Sequence, residues 1–359
     1  MTTPKHLKNT ANRLAYKATF GSALCLFTAA VFAQSALTGE LNLYSARHYN
    51  TDELLYSNFT KATGIKINRV DAGDEAILER LRSEGTRSPA DVLLLVDAAR
   101  LWKAQIDGLF SPVKSSILES RIPSDLRGKD DGKGSEWFAF SSRARVMVYN
   151  KQSIDPQTIA NYEDLAKPAL KGKICTRSAA HPYMLSLTSA MVNNLGEQKA
   201  EQWASGVVAN LARPARGGDT DQIKAVATGE CGVALTNTYY WARILKSTKP
   251  EDKAIVEKVG FIWPNQSNVG THMNISGGAV LKNAPHRAAA VKFLEYLASD
   301  EAQAYLAEGN NEWPVVKGVK IKNAELDSLG TFKHDKLPVA QIARHTVTAS
   351  KIIDRVGWR

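Results

Sequence analysis

Cysteine is scarce: the chain has three in 359 residues, Cys25, Cys175 and Cys231. No Cys-x-x-Cys pair occurs, so a thiolate zinc site of the usual spacing is excluded. No stretch carries the carboxylate spacing of a calcium-binding loop. Neither Gly-x-Ser-x-Gly nor a Walker sequence is present, which removes two common bases for turnover. There is no long Lys/Arg run interleaved with aromatics. The basic stretch Lys129 to Lys133 is broken by Asp130 and Asp131, so nucleic-acid binding is not expected. What is present is ordinary globular material, with 44% hydrophobic and 23% charged residues. At roughly 150 residues per domain the length suggests two domains.

The balance is basic, with 46 Lys+Arg against 36 Asp+Glu and a net charge of +10. Part of it sits in an expected secretory signal over residues 1–33. Lys5, Lys8, Arg13 and Lys17 form a positive start, an apolar stretch runs from Phe20 to Phe32, and Val31-Phe32-Ala33 offers a small-residue cleavage site. The apolar run is short for a membrane span. Cleavage would remove four positive charges, leave +6 and discard Cys25. Export to the periplasm is the expectation. A mildly basic exported protein suits an anionic ligand, an anionic surface or an acidic partner.

Hydrophobic periodicity then predicts an alternation of strands and helices. Strands are expected at 41–45, 65–70, 90–95, 143–149, 170–175, 232–235, 259–263 and 276–281. Helices are expected to begin near Leu54, Glu75, Ala98, Met184, Gln202, Ile223, Tyr239 and Arg287. In the first of these, Leu54, Leu55 and Phe59 are read as the inward face. The alternation indicates an α/β fold with a parallel-leaning sheet. The chain is read as leaving one lobe and returning to it, with a cleft between two lobes. The expected divisions are 34–140 for the first lobe, 141–268 for the second, and 269–359 for the return and C-terminal helices.

The tyrosines are the informative feature. Tyr49, Tyr183 and the pair Tyr239-Tyr240 each fall between the end of an expected strand and the start of a helix. In open α/β sheets that edge binds ligands, and helix N-termini there favour negative charge. Cys175 lies eight residues before Tyr183, and Cys231 eight before Tyr239. If the two segments are neighbouring parallel strands in matching register, the cysteines meet at one end and the tyrosines at the other. An even cysteine pair in an oxidising compartment also favours a disulfide.

Phenolate oxygen is a hard anionic ligand that suits Fe(III), and tyrosine ligation of iron has precedent. A trivalent cation can displace the phenolic proton despite a pKa near 10. Four phenolates on Fe(III) carry a net −1, which calls for a nearby cation. Arg47, Arg143 and Arg243 are the candidates. His48 can add an imidazole nitrogen. His181 is read as structural, and His272 falls in a hinge or cleft loop.

The segment Leu43 to Tyr49, the Tyr239-Tyr240 pair and the stretch Gly270 to Gly277 together resemble the ferric-iron-binding proteins of bacterial ABC importers, the FutA type among them. The resemblance spans essentially the whole mature chain. It implies a transferrin-like, type II periplasmic binding protein that delivers Fe(III) to an ABC-type iron permease in the inner membrane. It carries the ligand roles to Tyr49, Tyr183, Tyr239 and Tyr240, with His48 optional. Some relatives replace one phenolate by a carboxylate or a synergistic anion. No acidic residue adjoins these tyrosines in sequence, which favours the tyrosine-rich variant. A monomer without turnover is expected. An oxyanion- or other small-ligand-binding protein of the same fold, and an exported metalloenzyme, are the alternatives.

Overall fold

A computed structural model describes residues 39–47, 49 and 51–359. The expected signal segment and His48 lie outside the described residues. The strands are β1 (Gly39–Ser45), β2 (Ile65–Asp71), β3 (Val92–Leu95), β4 (Phe138–Asn150), β5 (Ile174–Cys175), β6 (Val233–Asn237), β7 (Val259–Ile262), β8 (Met273–Val280) and β9 (Trp313–Pro314). The helices up to the middle of the chain are α1 (Asp52–Thr63), α2 (Asp74–Glu84), α3 (Ala98–Ile106), α4 (Ser116–Arg121), α5 (Pro182–Leu195), α6 (Glu197–Ala209) and α7 (Asp219–Thr228). Then come α8 (Thr238–Lys246), α9 (Pro250–Lys258), α10 (Arg287–Leu297), α11 (Asp300–Asn310), α12 (Ala324–Ser328), α13 (Val339–Arg344) and α14 (Thr346–Val356). Among the described residues no helix is long and apolar enough to cross a membrane.

The strand order is β2-β1-β3-β8-β4-β6-β5, with β7 and β9 also paired to β4. Only β1–β2, β1–β3 and β5–β6 are parallel; β8 and β4 pair antiparallel with their neighbours. The sheet is therefore mixed, not parallel-leaning throughout. The reason is β4. It begins at Phe138, five residues before the expected start at Arg143, and its first half pairs with β8. Its second half, from Arg145, pairs with β6 and β7. One long strand thus runs from one core into another.

The first core gathers β1–β3, α1–α3, β8, α10 and α11 around Leu41, Phe59, Leu93, Phe138 and Phe293, all fully buried. The second packs Met147, Leu187, Trp203, Val233, Leu235, Ile352 and Trp358. On the opposite face of the same strands, Val148, Ala234, Ile223, Val226 and Trp241 form a third. Met147 and Val148 go to different cores because successive strand side chains alternate faces. The C-terminal helix α14 joins the second core rather than the first.

Local rules account for the element ends. Leu55, Tyr56 and Phe59 bury one face of α1, while Leu54 is 48% exposed. Of the expected inward set Leu55 and Phe59 are buried, and Tyr56 takes the place of Leu54. Gly64, at φ 76°, ends α1 with a left-handed cap whose N–H reaches Thr60. Ile77, Leu78 and Leu81 face inward from α2 as expected. Gly270 has φ +96°, and a Cβ there would meet the His334 backbone at 2.6 Å. A Cβ on Gly277 would lie 2.6 Å from the Phe138 carbonyl oxygen. Gly270 lets the segment around His334 approach, and Gly277 lets β4 approach β8.

Cys175 and Cys231 are joined as a disulfide with Cα atoms 5.8 Å apart. The register differs from the matching one expected. Cys175 pairs with Ala234, so Cys231 precedes β6 and sits in the turn after α7. The bridge ties the end of β5 to that turn.

Candidate metal centre

Three strand ends deliver the tyrosines. Tyr49 lies in the loop between β1 and α1. Tyr183 follows Pro182 at the start of α5, a first-turn position that suits proline. His181 caps α5, its Nδ1 accepting from the Tyr183 N–H at 3.3 Å, and its ring packs 4.5 Å from the Tyr183 ring. It serves the structural role expected of it. Tyr239 and Tyr240 are the second and third residues of α8, which starts directly from β6.

The four side chains come together. The Tyr239 hydroxyl donates to the Tyr183 hydroxyl at 2.9 Å. The Tyr49 ring meets the Tyr239 ring edge-on at 5.9 Å, and the Tyr240 ring lies 4.3 Å from Tyr239 at a tilt of 33°. Adjacent residues in a continuous helix point about 100° apart. Here the first turn of α8 keeps the two rings side by side. Asn237 stands at the N-cap position of α8 but its side chain does not cap it. Asn237 Oδ1 accepts from Arg145 at 3.1 Å, and Thr238 Oγ1 accepts from the Ala144 N–H at 3.3 Å.

Tyr183 and Tyr239 are buried; Tyr49 and Tyr240 are half-buried. Burial pushes the Tyr239 phenol well above its ordinary value, and Tyr183, Tyr49 and Tyr240 push it further. Burial also raises Tyr183, which Arg143 opposes. Burial, then Glu312 and Tyr183, raise Tyr49. These phenols keep their protons unless a cation replaces them.

Positive charge surrounds the cluster. Arg143 is buried, with its guanidinium 5.5 Å from the Tyr183 ring. It donates to Ser276 Oγ and the Val96 carbonyl, and its Nε has no partner. Burial works against its charge, but the fields of Tyr183, Glu312, Tyr49 and Tyr239 outweigh that cost. Arg47 lies 4.9 Å over the Tyr49 ring and binds Asp52, Nε to Oδ2, at 2.7 Å. Arg243 sits 6.0 Å from the Tyr239 ring and 5.5 Å from Tyr240, but it is exposed and screened by water.

Two neighbours escaped the sequence reading. Arg177 lies 5.0 Å from the Tyr183 ring and donates to Asp219 at 3.2 Å. Its place in the loop leading to Tyr183 was a usable signal. Glu312 lies fully buried near Tyr49, so an acidic residue does adjoin the tyrosines in space. Nothing local to Glu312 marks it.

His272 lies directly before β8 and is buried. Its Nε2 meets Ser186 Oγ at 3.0 Å. Asn274 donates to that same Oγ at 2.7 Å and to Asp97 at 2.6 Å. Burial, with Arg145 and Arg143, lowers the His272 pKa to about 3. Burial raises Asp97 to about 6, against the pull of Arg143. A buried chain thus links α3, β8 and α5.

Among the described residues no group of three or more His, Cys, Asp or Glu side chains is placed to hold a metal ion. A metal here would rest on phenol oxygens. Four such oxygens suit a hard trivalent cation, with Arg143 and Arg47 balancing the surplus negative charge.

The chain matches the family of bacterial extracellular solute-binding proteins over residues 55–332. It belongs to that family. It is 48% identical over 320 residues to iron uptake protein A1 of Synechocystis sp., covering 89% of this chain and 88% of that one. It is 26% identical over 348 residues to the major ferric iron-binding protein of Neisseria meningitidis, covering 93% of this chain and 98% of the other. The solved structure of the Trichodesmium protein IdiA, or FutA, in complex with iron and citrate aligns with a TM-score of 0.82 at 50% identity. That alignment covers 89% of this chain and 100% of the Trichodesmium chain. The α/β, two-lobed architecture read from the sequence is the one these structures share.

Proposed function

We propose that this protein captures Fe(III) between its lobes through Tyr49, Tyr183, Tyr239 and Tyr240 and hands it to an ABC-type iron permease. The observation that carries the reading is the meeting of the Tyr239 and Tyr183 hydroxyls at 2.9 Å, with Tyr49 and Tyr240 packed on the same ring. The names of the three similar proteins given above, each concerned with iron, support it. Iron(III) displaces the phenol protons, and the resulting anionic cluster faces the buried Arg143 and Arg47. His48 is kept as an optional further ligand. The protein holds and releases its cargo without turnover, as a monomer in the periplasm, after loss of residues 1–33. The lobes divide at 34–140 and 141–268, with 269–359 supplying the return to the first and the C-terminal helices. The final helix α14 belongs to the second by its packing.

An absorption spectrum tests this directly. Addition of ferric citrate to the iron-free protein should produce a visible iron–phenolate charge-transfer band. A colourless product would overturn the reading and favour an oxyanion or other ligand.

A further inference from the structure

Arg47 is gripped by two carboxylates. Asp52 binds it through Nε–Oδ2 at 2.7 Å and Nη2–Oδ1 at 3.2 Å. Glu312 Oε2 lies 3.6 Å from Nη2. Glu312 itself is fully buried, and its Oε2 accepts from Ser141 Oγ, on β4, at 2.9 Å. Its other oxygen, Oε1, is buried without a partner. Asp52 is braced in turn by Asn310 Nδ2 at 3.0 Å, and Asn310 ends α11 just before Glu312.

Such an arrangement costs stability. One guanidinium needs one carboxylate, and a second buried carboxylate with an unpaired oxygen is unfavourable. A glutamine of the same shape could accept from Ser141 without the charge. The retained charge lies where it acts on the tyrosines: Arg47, which it holds, covers the Tyr49 ring, and its field reaches both Tyr49 and Arg143.

We infer that Glu312 is a positioning residue for the ferric site, holding Arg47 on the face of Tyr49 and placing a fixed negative charge beside that ligand. This rests on the iron reading above. The charge opposes part of the compensation that Arg47 and Arg143 supply. It favours the ferric over the ferrous state, because added negative charge stabilises the higher oxidation state. The ferric grip and the ferric/ferrous potential are then set partly by a side chain that is not itself a ligand.

The test uses the full mature protein loaded with ferric citrate, comparing wild type with Glu312→Gln. Spectroelectrochemical titration should show a higher ferric/ferrous midpoint potential in E312Q. The charge-transfer maximum should move, because Arg47 loses one of its two anchors over Tyr49. Unchanged band and potential in E312Q would overturn the inference, whatever happens to its melting temperature, since a packing role alone moves only the latter. If E312Q does not fold, Glu312→Asp keeps the charge but draws it back by one methylene. The potential should then rise by less, and no change in either reading would overturn the inference. A wild-type protein that stays colourless is a separate result, which sinks the iron reading itself.

Discussion

Three of the four tyrosines come from the part of the molecule built on β5 and β6, and one comes from the part built on β1. The two parts hold them by different means. Tyr183, Tyr239 and Tyr240 sit in the first turns of α5 and α8, so backbone geometry places them. The disulfide between Cys175 and Cys231 ties the far ends of the same segments. Tyr49 has no helix under it. It lies in a connecting loop beside Arg47, which Asp52 and Glu312 clamp. One side is organised by secondary structure and a covalent bond, the other by buried ion pairs. The first kind of support rests on backbone geometry and a covalent bond, and is insensitive to charge. The second joins a local partner, Asp52, to a distant one, Glu312, and changes when either charge is lost.

The largest effect expected on this contrast comes from removing the covalent tie. The bridge spans 56 residues, so Cys231→Ser should cost about 3–4 kcal/mol by loop entropy. Chemical denaturation of the oxidised wild type against the variant measures it. Equal midpoints would mean that helix starts alone organise that side.

Next in size is the loss of the central hydroxyl. Tyr239→Phe removes both a proposed ligand and the hydrogen bond to Tyr183. Ferric affinity should fall about a hundredfold or more, beyond what supporting groups contribute, with a changed visible band. Melting of the iron-free form should move little. Unaltered affinity and colour would make Tyr239 a packing residue.

Tyr49→Phe is expected to weaken iron by about ten- to a hundredfold, since three phenolates remain. It should also reduce closure, because Tyr49 is the tyrosine contributed by the first lobe. Small-angle scattering of iron-free and loaded protein should show contraction for wild type and less for Y49F. The same contraction in both would place the closing contacts elsewhere.

The smallest effect concerns the buried chain around His272. His272 has a folded pKa near 3 against an ordinary value of 6.5. The unfolded chain therefore binds the extra proton first, and stability is lost as pH falls from about 6.5 toward 3. The slope approaches about 1.4 kcal/mol per pH unit as an upper limit. His272→Gln should flatten this acid limb in melting curves taken from pH 7 to 4. An unchanged limb would shift the acid sensitivity to other groups.

The elements were legible because their signals are local. Ile77, Leu78 and Leu81 repeat at helical spacing, and β2 alternates, over a handful of neighbouring residues. The tyrosine positions were legible for the same reason, since each falls after a strand, in or just before the first turn of the helix that follows it. Leu54 and Tyr56 show where that fails. Both fit an amphipathic α1, and the choice depended on Phe293, which packs 6.1 Å from Tyr56. Arg177 could have been found from its own loop.

What the sequence by itself determined was the α/β alternation, the tyrosines at strand-to-helix edges and the pairing of the last two cysteines. Tertiary structure alone decided the offset of β5 against β6, the antiparallel crossing of β4 with β8, and the arrival of Glu312 beside Arg47 and Tyr49. The physical reason is range. Periodicity and capping are written in residues a turn or two apart. Glu312 meets Arg47 only when the chain has left the first lobe, built the second and come back.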